Sequence, residues 1–162
     1  MASGRSKTLL GLAASVTACE LVGGIGALAS SRGITDWYPT LRKPRFTPPG
    51  WIFGPVWTAL YAAIGVAAFL VGRRGMGERD TRRALGLFGI QLTLNGLWSP
   101  AFFGLRSPKA GLAVIIALWL ALAATIAAFA RVSRPAALLM LPYLAWSSFA
   151  AALNGAIWRL NR

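Results

Sequence analysis

The chain has 162 residues, of which 56% are hydrophobic and 13% charged, and its mean hydropathy is +0.59. This length fits one domain, and this composition excludes an ordinary soluble protein. A net charge of +13 would indicate nucleic-acid binding in a soluble protein. Here the cations lie beside and between apolar tracts, so we expect contact with anionic membrane lipid and no nucleic-acid partner.

Five apolar tracts have the length of about 20 residues that a membrane-spanning helix needs. They are residues 8–30, 51–72, 84–104, 110–130 and 136–158. The sequence therefore predicts an all-α fold, a single-domain bundle of five transmembrane helices in a multi-pass integral membrane protein. Residues 31–50 are left as a lid loop. Lys and Arg are shared almost equally between the two sides, so neither the orientation nor the membrane is specified.

The first tract raises two questions, about cleavage and about an acid. Residues 16–19 (VTAC) resemble a lipoprotein signal cleavage site, but apolar residues continue through Ala29, so we predict an uncleaved helix. Glu20 lies near the middle of this helix, where an ionisable group is costly and is a functional candidate. It could couple proton movement to transport or contact the lid and the bundle. We favour the structural role, because no acid or His on another tract extends a relay.

The segment between Trp37 and Trp51 contains four prolines, each of which fixes its own φ and biases the preceding residue away from helix. Arg42, Lys43 and Arg45 stand among its aromatic residues, a mixture that suits a polar–apolar boundary. We predict a semi-rigid extended lid over the helix ends that carries these three cations. The alternative is an ordered interfacial loop without a ligand.

Polar and aromatic residues mark the inner faces of three tracts. Gln91, Asn95, Trp98 and Phe102 form one stripe of the third tract, which should face inward because buried amides in lipid need partners. Trp57 and Tyr61 share a face of the second tract, and Trp146 stands above Ala150 on the fifth. This pattern predicts either ordinary helix packing or an aromatic wall for a flat apolar ligand.

The polar inventory excludes several chemistries. Cys19 is the single cysteine, there is no His, and four acids are present. An intrachain disulfide, a Ser-His-Asp triad and a His-ligated haem are thereby excluded, and a transition-metal site is disfavoured. We predict no metal and no resident cofactor.

Four long motifs are similar to those of the TspO/MBR family, the tryptophan-rich sensory proteins and the translocator (peripheral benzodiazepine receptor) proteins. The motifs are WYPTLRKPRFTPPGW (37–51), GPVWTALY (54–61), QLTLNGLWSPAFFG (91–104) and PYLAWSSFAAALNGAIWRLN (142–161). They occur in order, one in each expected region, and cover nearly the whole chain.

The resemblance implies five packed helices, often in a homodimer, with a pocket beneath the first loop. It implies porphyrins such as protoporphyrin IX, sterols and benzodiazepine-type compounds as ligands. Bacterial members are linked to tetrapyrrole-dependent regulation and stress, and some to light-dependent porphyrin breakdown. The positions that match family pocket residues are Trp37, Trp57, Tyr61, Asn95, Trp98, Trp146, Ala150 and Leu153.

The chain departs from the family at the sterol motif of the animal proteins, which has Leu, Tyr and Arg on the last helix. Leu153 and Arg159 are present, but Gly155 stands at the Tyr position. We therefore expect only weak sterol binding. The predicted function is a membrane-embedded binder or sensor of porphyrins. The alternatives are a transporter of porphyrins or other amphiphiles, and a photochemical enzyme in which Trp57 and Trp146 are redox partners of excited porphyrin.

Overall fold

A computed structural model describes residues 2–162, with side chains from Arg5 onward. Within these residues the secondary structure is entirely helical, as predicted. The five long helices are α1 (Ala2–Arg32), α2 (Phe53–Gly72), α3 (Arg79–Ser99), α4 (Pro108–Val132) and α5 (Arg134–Leu160). They contain 20 to 31 residues, so each is at least about 30 Å long at 1.5 Å per residue.

The five helices pack side by side in a ring. Going round it, α1 contacts α2, α2 contacts α5, α5 contacts α4, α4 contacts α3, and α3 returns to α1. The end of α1, the start of α2 and the ends of α3 and α5 therefore lie at the same end of the bundle. This is the end that carries the lid.

Four of the five helices are long and apolar enough to cross a membrane. They are α1 with its short continuation (Arg5–Thr40), α2 with the preceding turn (Gly50–Gly72), α4 and α5. The exception is α3, in which Gln91 and Asn95 interrupt the apolar run. Both amides are buried, with exposed fractions of 0% and 5%, which confirms that the stripe faces inward.

The predicted third span, residues 84–104, is not one regular helix. The α-helix ends at Ser99, and residues Pro100–Gly104 form a wider π-helical turn. Pro100 has no N–H to donate, and its carbonyl accepts from the N–H of Leu105, five residues on, at 2.9 Å. The wider turn places Phe102 in the bundle interior, where it is 2% exposed.

The lid prediction for residues 31–50 is wrong in its first half. The chain stays helical after α1, through a π-helical turn at Gly33–Trp37 and a 3₁₀ turn at Tyr38–Thr40. Only residues 41–49 form the extended segment that the prolines favour, and a 3₁₀ turn at Gly50–Ile52 leads into α2. We keep the name lid for residues 41–49.

The first two helices approach each other closely at Gly65. A Cβ atom at this position would lie 2.6 Å from the Cα of Val16, so a side chain would collide with the backbone of α1. The Ser15 hydroxyl donates to the Gly65 carbonyl across the same contact, at 2.8 Å. Close approach at a small residue, with a hydroxyl bonding across it, is a common way to join helices in lipid.

Candidate functional site

A buried chain of side-chain hydrogen bonds joins three helices in the middle of the bundle. The Tyr61 hydroxyl of α2 donates to the Asn95 side-chain oxygen of α3, and the Asn95 amide donates to the Tyr143 hydroxyl of α5. The exposed fractions are 8%, 5% and 1%. Polar groups at this depth need partners inside the protein, and here each side chain supplies one for the next.

Trp57 lies against this polar centre. Its ring centroid is 5.5 Å from that of Tyr61 and 6.0 Å from that of Tyr143, which meets it edge-on at 70°. The structure therefore brings together three of the predicted pocket residues, Trp57, Tyr61 and Asn95. Tyr143, the second residue of the motif at 142–161, is not one of the predicted pocket residues.

Two further predicted residues, Trp98 and Trp37, meet at Phe102 on the lid side of this centre. Trp98 stacks on Phe102 with ring centroids 5.6 Å apart, and Trp37 packs against the same ring at 5.6 Å. The Trp98 indole N–H donates to the Asn154 side-chain oxygen of α5 at 3.3 Å, and the Asn154 amide donates to the Pro108 carbonyl at 2.7 Å. These bonds fix the Trp98 ring between α3, α4 and α5.

Trp146 differs from Trp98 in that its buried indole N–H has no hydrogen-bond partner among the described residues. Its ring centroid lies 5.8 Å from that of Phe53 and 5.3 Å from that of Phe149. The neighbouring Ser147 hydroxyl is also buried and has no hydrogen-bond partner among the described residues. Ala150, one turn further along α5, is half-buried beside the main core.

Leu153 and the other two residues of the sterol motif point to different sides of α5. Leu153 is 6% exposed and packs inward with Phe102 and Ile157. Gly155 and Arg159 line a groove on the outside. The three motif positions therefore share no single face in this structure.

Backbone hydrogen bonds and a ring contact hold the lid against the end of α5. The Arg42 N–H donates to the Asn161 side-chain oxygen at 3.0 Å, and the Asn161 amide donates back to the Arg42 carbonyl at 2.9 Å. Further along the lid, Phe46 packs edge-on against Phe149 of α5 at 6.3 Å. The lid thus lies over the end of α5, next to Trp146 through the shared neighbour Phe149.

The three predicted lid cations do not point to one place. The Lys43 ammonium sits over the Tyr38 ring at 4.6 Å. Arg42 and Arg45 are exposed at the surface. All three remain at the lid end of the bundle.

Glu20 is half-buried on α1. Gly23, almost one turn further along the helix, lies against the ring of Tyr61, and a Cβ there would overlap that ring. Glu20 is therefore close in the chain to the place where α1 meets the polar centre.

Two grooves on the surface lie away from these residues. One groove, of about 640 Å³, runs beside the end of α5, and another, of about 250 Å³, lies between α3 and α4. None of the predicted pocket residues lines either groove. The predicted residues instead form a packed aromatic and polar wall inside the bundle.

The amino-acid sequence matches the model of the TspO/MBR family over residues 15–159. The chain belongs to the TspO/MBR family. It is 44% identical over 156 residues to the tryptophan-rich protein TspO of Chlorobaculum tepidum, which covers 96% of this chain and 99% of that protein. It is 39% identical over 147 residues to the translocator protein of Sus scrofa, covering 88% and 87% of the two chains. It is 36% identical over 144 residues to protein CrtK of Rhodobacter capsulatus, covering 89% and 88%.

Family membership confirms the resemblance read from the four motifs. Together with the four apolar helices, it makes this chain a multi-pass integral membrane protein. Membrane-embedded binding or sensing is the role that the names of its TspO/MBR relatives support.

Besides Tyr143, Phe53 and Asn154 pack against the predicted residues without having been predicted as pocket residues. Phe53, which packs against Trp146, is the first residue of α2 and lies just before the GPVWTALY motif, so neither that motif nor a polar neighbour marked it. Asn154 holds the Trp98 ring, and its place on the inner face of α5 was visible in the helical spacing from Tyr143. An inward-facing amide in a membrane helix was the signal that could have added it.

Proposed function

We propose that this protein binds porphyrins and similar flat apolar molecules beneath its lid, and that this binding serves tetrapyrrole-linked regulation or a stress response. The observation that carries the proposal is the buried indole N–H of Trp146, which has no partner in the described structure. Burying such a donor without a hydrogen bond is costly, so an unpaired one in a ring-lined interior marks a place for an acceptor from outside the chain.

The surroundings of Trp146 suit a flat ligand of this kind. Phe53 and Phe149 flank its ring, and Trp57 lies on the neighbouring helix α2, against the polar centre. Aromatic rings and a few placed polar groups are the usual lining of a small-molecule site between bundle helices. A ligand could fit here only if these packed rings moved apart. Of the segments next to the rings, the lid has the least regular structure.

The lid cations suit the acidic side groups of a porphyrin. Arg42, Lys43 and Arg45 lie at the end of the bundle that the lid covers, at the boundary between apolar interior and water. A guanidinium or ammonium forms its strongest hydrogen bonds with carboxylates. Lys43 would leave the Tyr38 ring to make such a bond, exchanging a cation–π contact for an ion pair.

We propose in addition that all five helices cross the membrane, α3 included. Its 21 residues are sufficient in length, and its amides are turned into the bundle and away from lipid.

A homodimer is supported by Ala113 and Ala117, which lie exposed on α4 and permit close helix approach. Sterols are expected to bind weakly, because Gly155 offers no ring at the motif position.

The test is a protoporphyrin titration of purified protein with substituted tryptophans. Trp57→Ala and Trp146→Ala each remove a ring whose stacking is worth about 0.5–1.5 kcal/mol besides its apolar contact. Each should weaken binding about tenfold or more, since about 1.4 kcal/mol is a factor of ten. Trp146→Phe keeps a ring but removes the N–H, and should cost several-fold if that donor meets the ligand.

Trp119→Ala is the matched control. This tryptophan lies on the outer side of α4, 36% exposed, with its N–H bonded to Ser148 at 2.8 Å. Its loss should leave porphyrin affinity unchanged. Helicity and thermal midpoint must be retained in every variant compared. Unchanged affinity in both Trp57→Ala and Trp146→Ala would place the ligand elsewhere and end the proposal.

A further inference from the structure

The groove of about 640 Å³ lies outside the bundle, on the lipid-facing side of α5 at the lid end. It is separate from the aromatic wall, because none of the proposed porphyrin residues lines it. The residues that shape it are Pro44 of the lid, Leu112 of α4, and Ala152, Gly155, Ala156 and Arg159 of α5.

The floor of the groove is made of small residues. Ala152, Gly155 and Ala156 recur at helical spacing on one face of α5, so the backbone is open to the outside along this stretch. A Cβ atom at Gly155 would meet only a methyl group of Leu112, at 3.9 Å. The floor is therefore apolar, and at 1.5 Å per residue it is about 6 Å long, enough for one part of a hydrocarbon chain to lie along it.

A cation stands at one end of this floor. Arg159 follows Ala156 by almost one turn on the same face, and it is exposed. Arg162 lies nearby in the chain, with its guanidinium 4.5 Å from the ring centroid of Trp158, which also lines the groove. From residue 81 to residue 162 the chain contains no acid, so nothing on α4 or α5 neutralises these two cations.

The other groove provides an internal contrast. It too has an apolar floor and two arginines, Arg83 and Arg131, but Asp80 lies in the same groove. An acid in place supplies the negative charge that the first groove lacks. The two linings carry the same net charge, and they differ in that the second groove holds a carboxylate that can compete with an incoming anion for its arginines.

The lid completes the groove. Pro44 forms part of its wall, two residues after the position where the Arg42 backbone is bonded twice to the Asn161 side chain. These bonds fix the lid segment against the end of α5. The wall at the cationic end is thus held in place by the backbone of Arg42, whose side chain plays no part in these two bonds.

We propose that this groove holds one anionic glycerophospholipid, with the phosphate on Arg159 and the part of an acyl chain nearest the headgroup along the Ala152–Ala156 floor. A phosphate bonded by a guanidinium is a strong, charge-assisted pair, and basic pockets beside membrane helices bind anionic headgroups. A sterol would leave Arg159 unpaired. A second copy docked symmetrically here would bring two Arg159 side chains into one interface, with no acid on α5 to pair with them.

The experiment compares lipid binding by native mass spectrometry of the detergent-purified full chain. Phosphatidylglycerol and phosphatidylcholine with identical acyl chains are added to the wild type and to three variants. The wild type should retain phosphatidylglycerol at least about tenfold more strongly. Arg159→Gln should remove most of this preference while weak binding of either lipid remains. Gly155→Leu should reduce binding of both lipids, because its side chain fills the floor.

Arg131→Gln is the control, since it removes one arginine from the other groove and should leave the preference intact. The proposal is overturned if Arg159→Gln keeps the full preference, or if Arg131→Gln removes as much of it. It is also overturned if inorganic phosphate displaces the lipid at equal concentration, if cholesterol competes as well as phosphatidylglycerol, or if Gly155→Leu changes the proportion of dimer and not the lipid bound. Porphyrin affinity, measured in parallel, should be unchanged in all three variants, so the two proposals succeed or fail separately.

Discussion

Asn95 is the residue whose replacement should most directly disturb the polar centre. Asn95→Leu keeps the side-chain size and removes both hydrogen bonds, so the Tyr61 and Tyr143 hydroxyls lose their partner inside the bundle. A side-chain hydrogen bond between membrane helices is worth about 0.6–1.7 kcal/mol. The loss of two such bonds should lower the free energy of unfolding by about 1–3 kcal/mol.

The measurement is equilibrium unfolding in mixed detergent, with a double-mutant cycle between Asn95→Leu and Tyr61→Phe. Because Tyr61→Phe removes one bond only, it should cost about half as much, and the coupling energy should be about 0.6–1.7 kcal/mol. Thr93→Val on the same helix is the control. Its exposed hydroxyl bonds the Gly89 carbonyl of its own helix, so stability should change little. A coupling energy near zero, or equal losses in Thr93→Val and Asn95→Leu, would refute the assignment of this network as the link between α2, α3 and α5.

Two further substitutions test other contacts. Gly65→Ala should lower the free energy of unfolding by about 1–3 kcal/mol, because the new Cβ meets the Val16 backbone at 2.6 Å. Gly86→Ala is the control. A Cβ there has no neighbouring atom within 4 Å, so the change should be neutral or slightly stabilising in the same assay. Glu20→Gln should leave porphyrin affinity within a few-fold, as titration will show. If porphyrin uptake into vesicles occurs and this change abolishes its dependence on a proton gradient, the structural role is wrong and transport replaces binding as the function.

The inner faces of the helices were predictable because membrane helices leave a simple trace in sequence. A polar residue at helical spacing among apolar ones must turn inward, and Gln91 and Asn95 do so. The same rule placed Trp57 and Tyr61 on one face, which then met Tyr143 across the bundle. Periodicity indicates which residues face inward, and the family motifs predict which of those residues form one site.

Contacts between distant segments left no such trace. The double hydrogen bond from Asn161 to Arg42 joins positions 119 residues apart, and no local pattern indicates it. The helical start of the predicted lid was also missed, because residues 31–37 precede the first proline and simply continue α1. Whether the N–H of Trp146 finds a partner depends on how α2 and α5 cross, which spacing along one helix does not determine.

The helix that carries the centre of the site is also the one whose composition least resembles a membrane span. Gln91 and Asn95 lower the apolarity of α3, yet both are among the most buried residues of the chain. Asn95 has its partners in Tyr61 and Tyr143, whereas both polar atoms of Gln91 have none among the described residues. An amide without a hydrogen-bond partner is costly in lipid. Such a residue is therefore expected only where another favourable contribution offsets that free-energy cost. Gln91 lies one turn from Asn95 on the same buried face of α3, so the apparent weakness of α3 as a span and its place at the polar centre have the same physical cause.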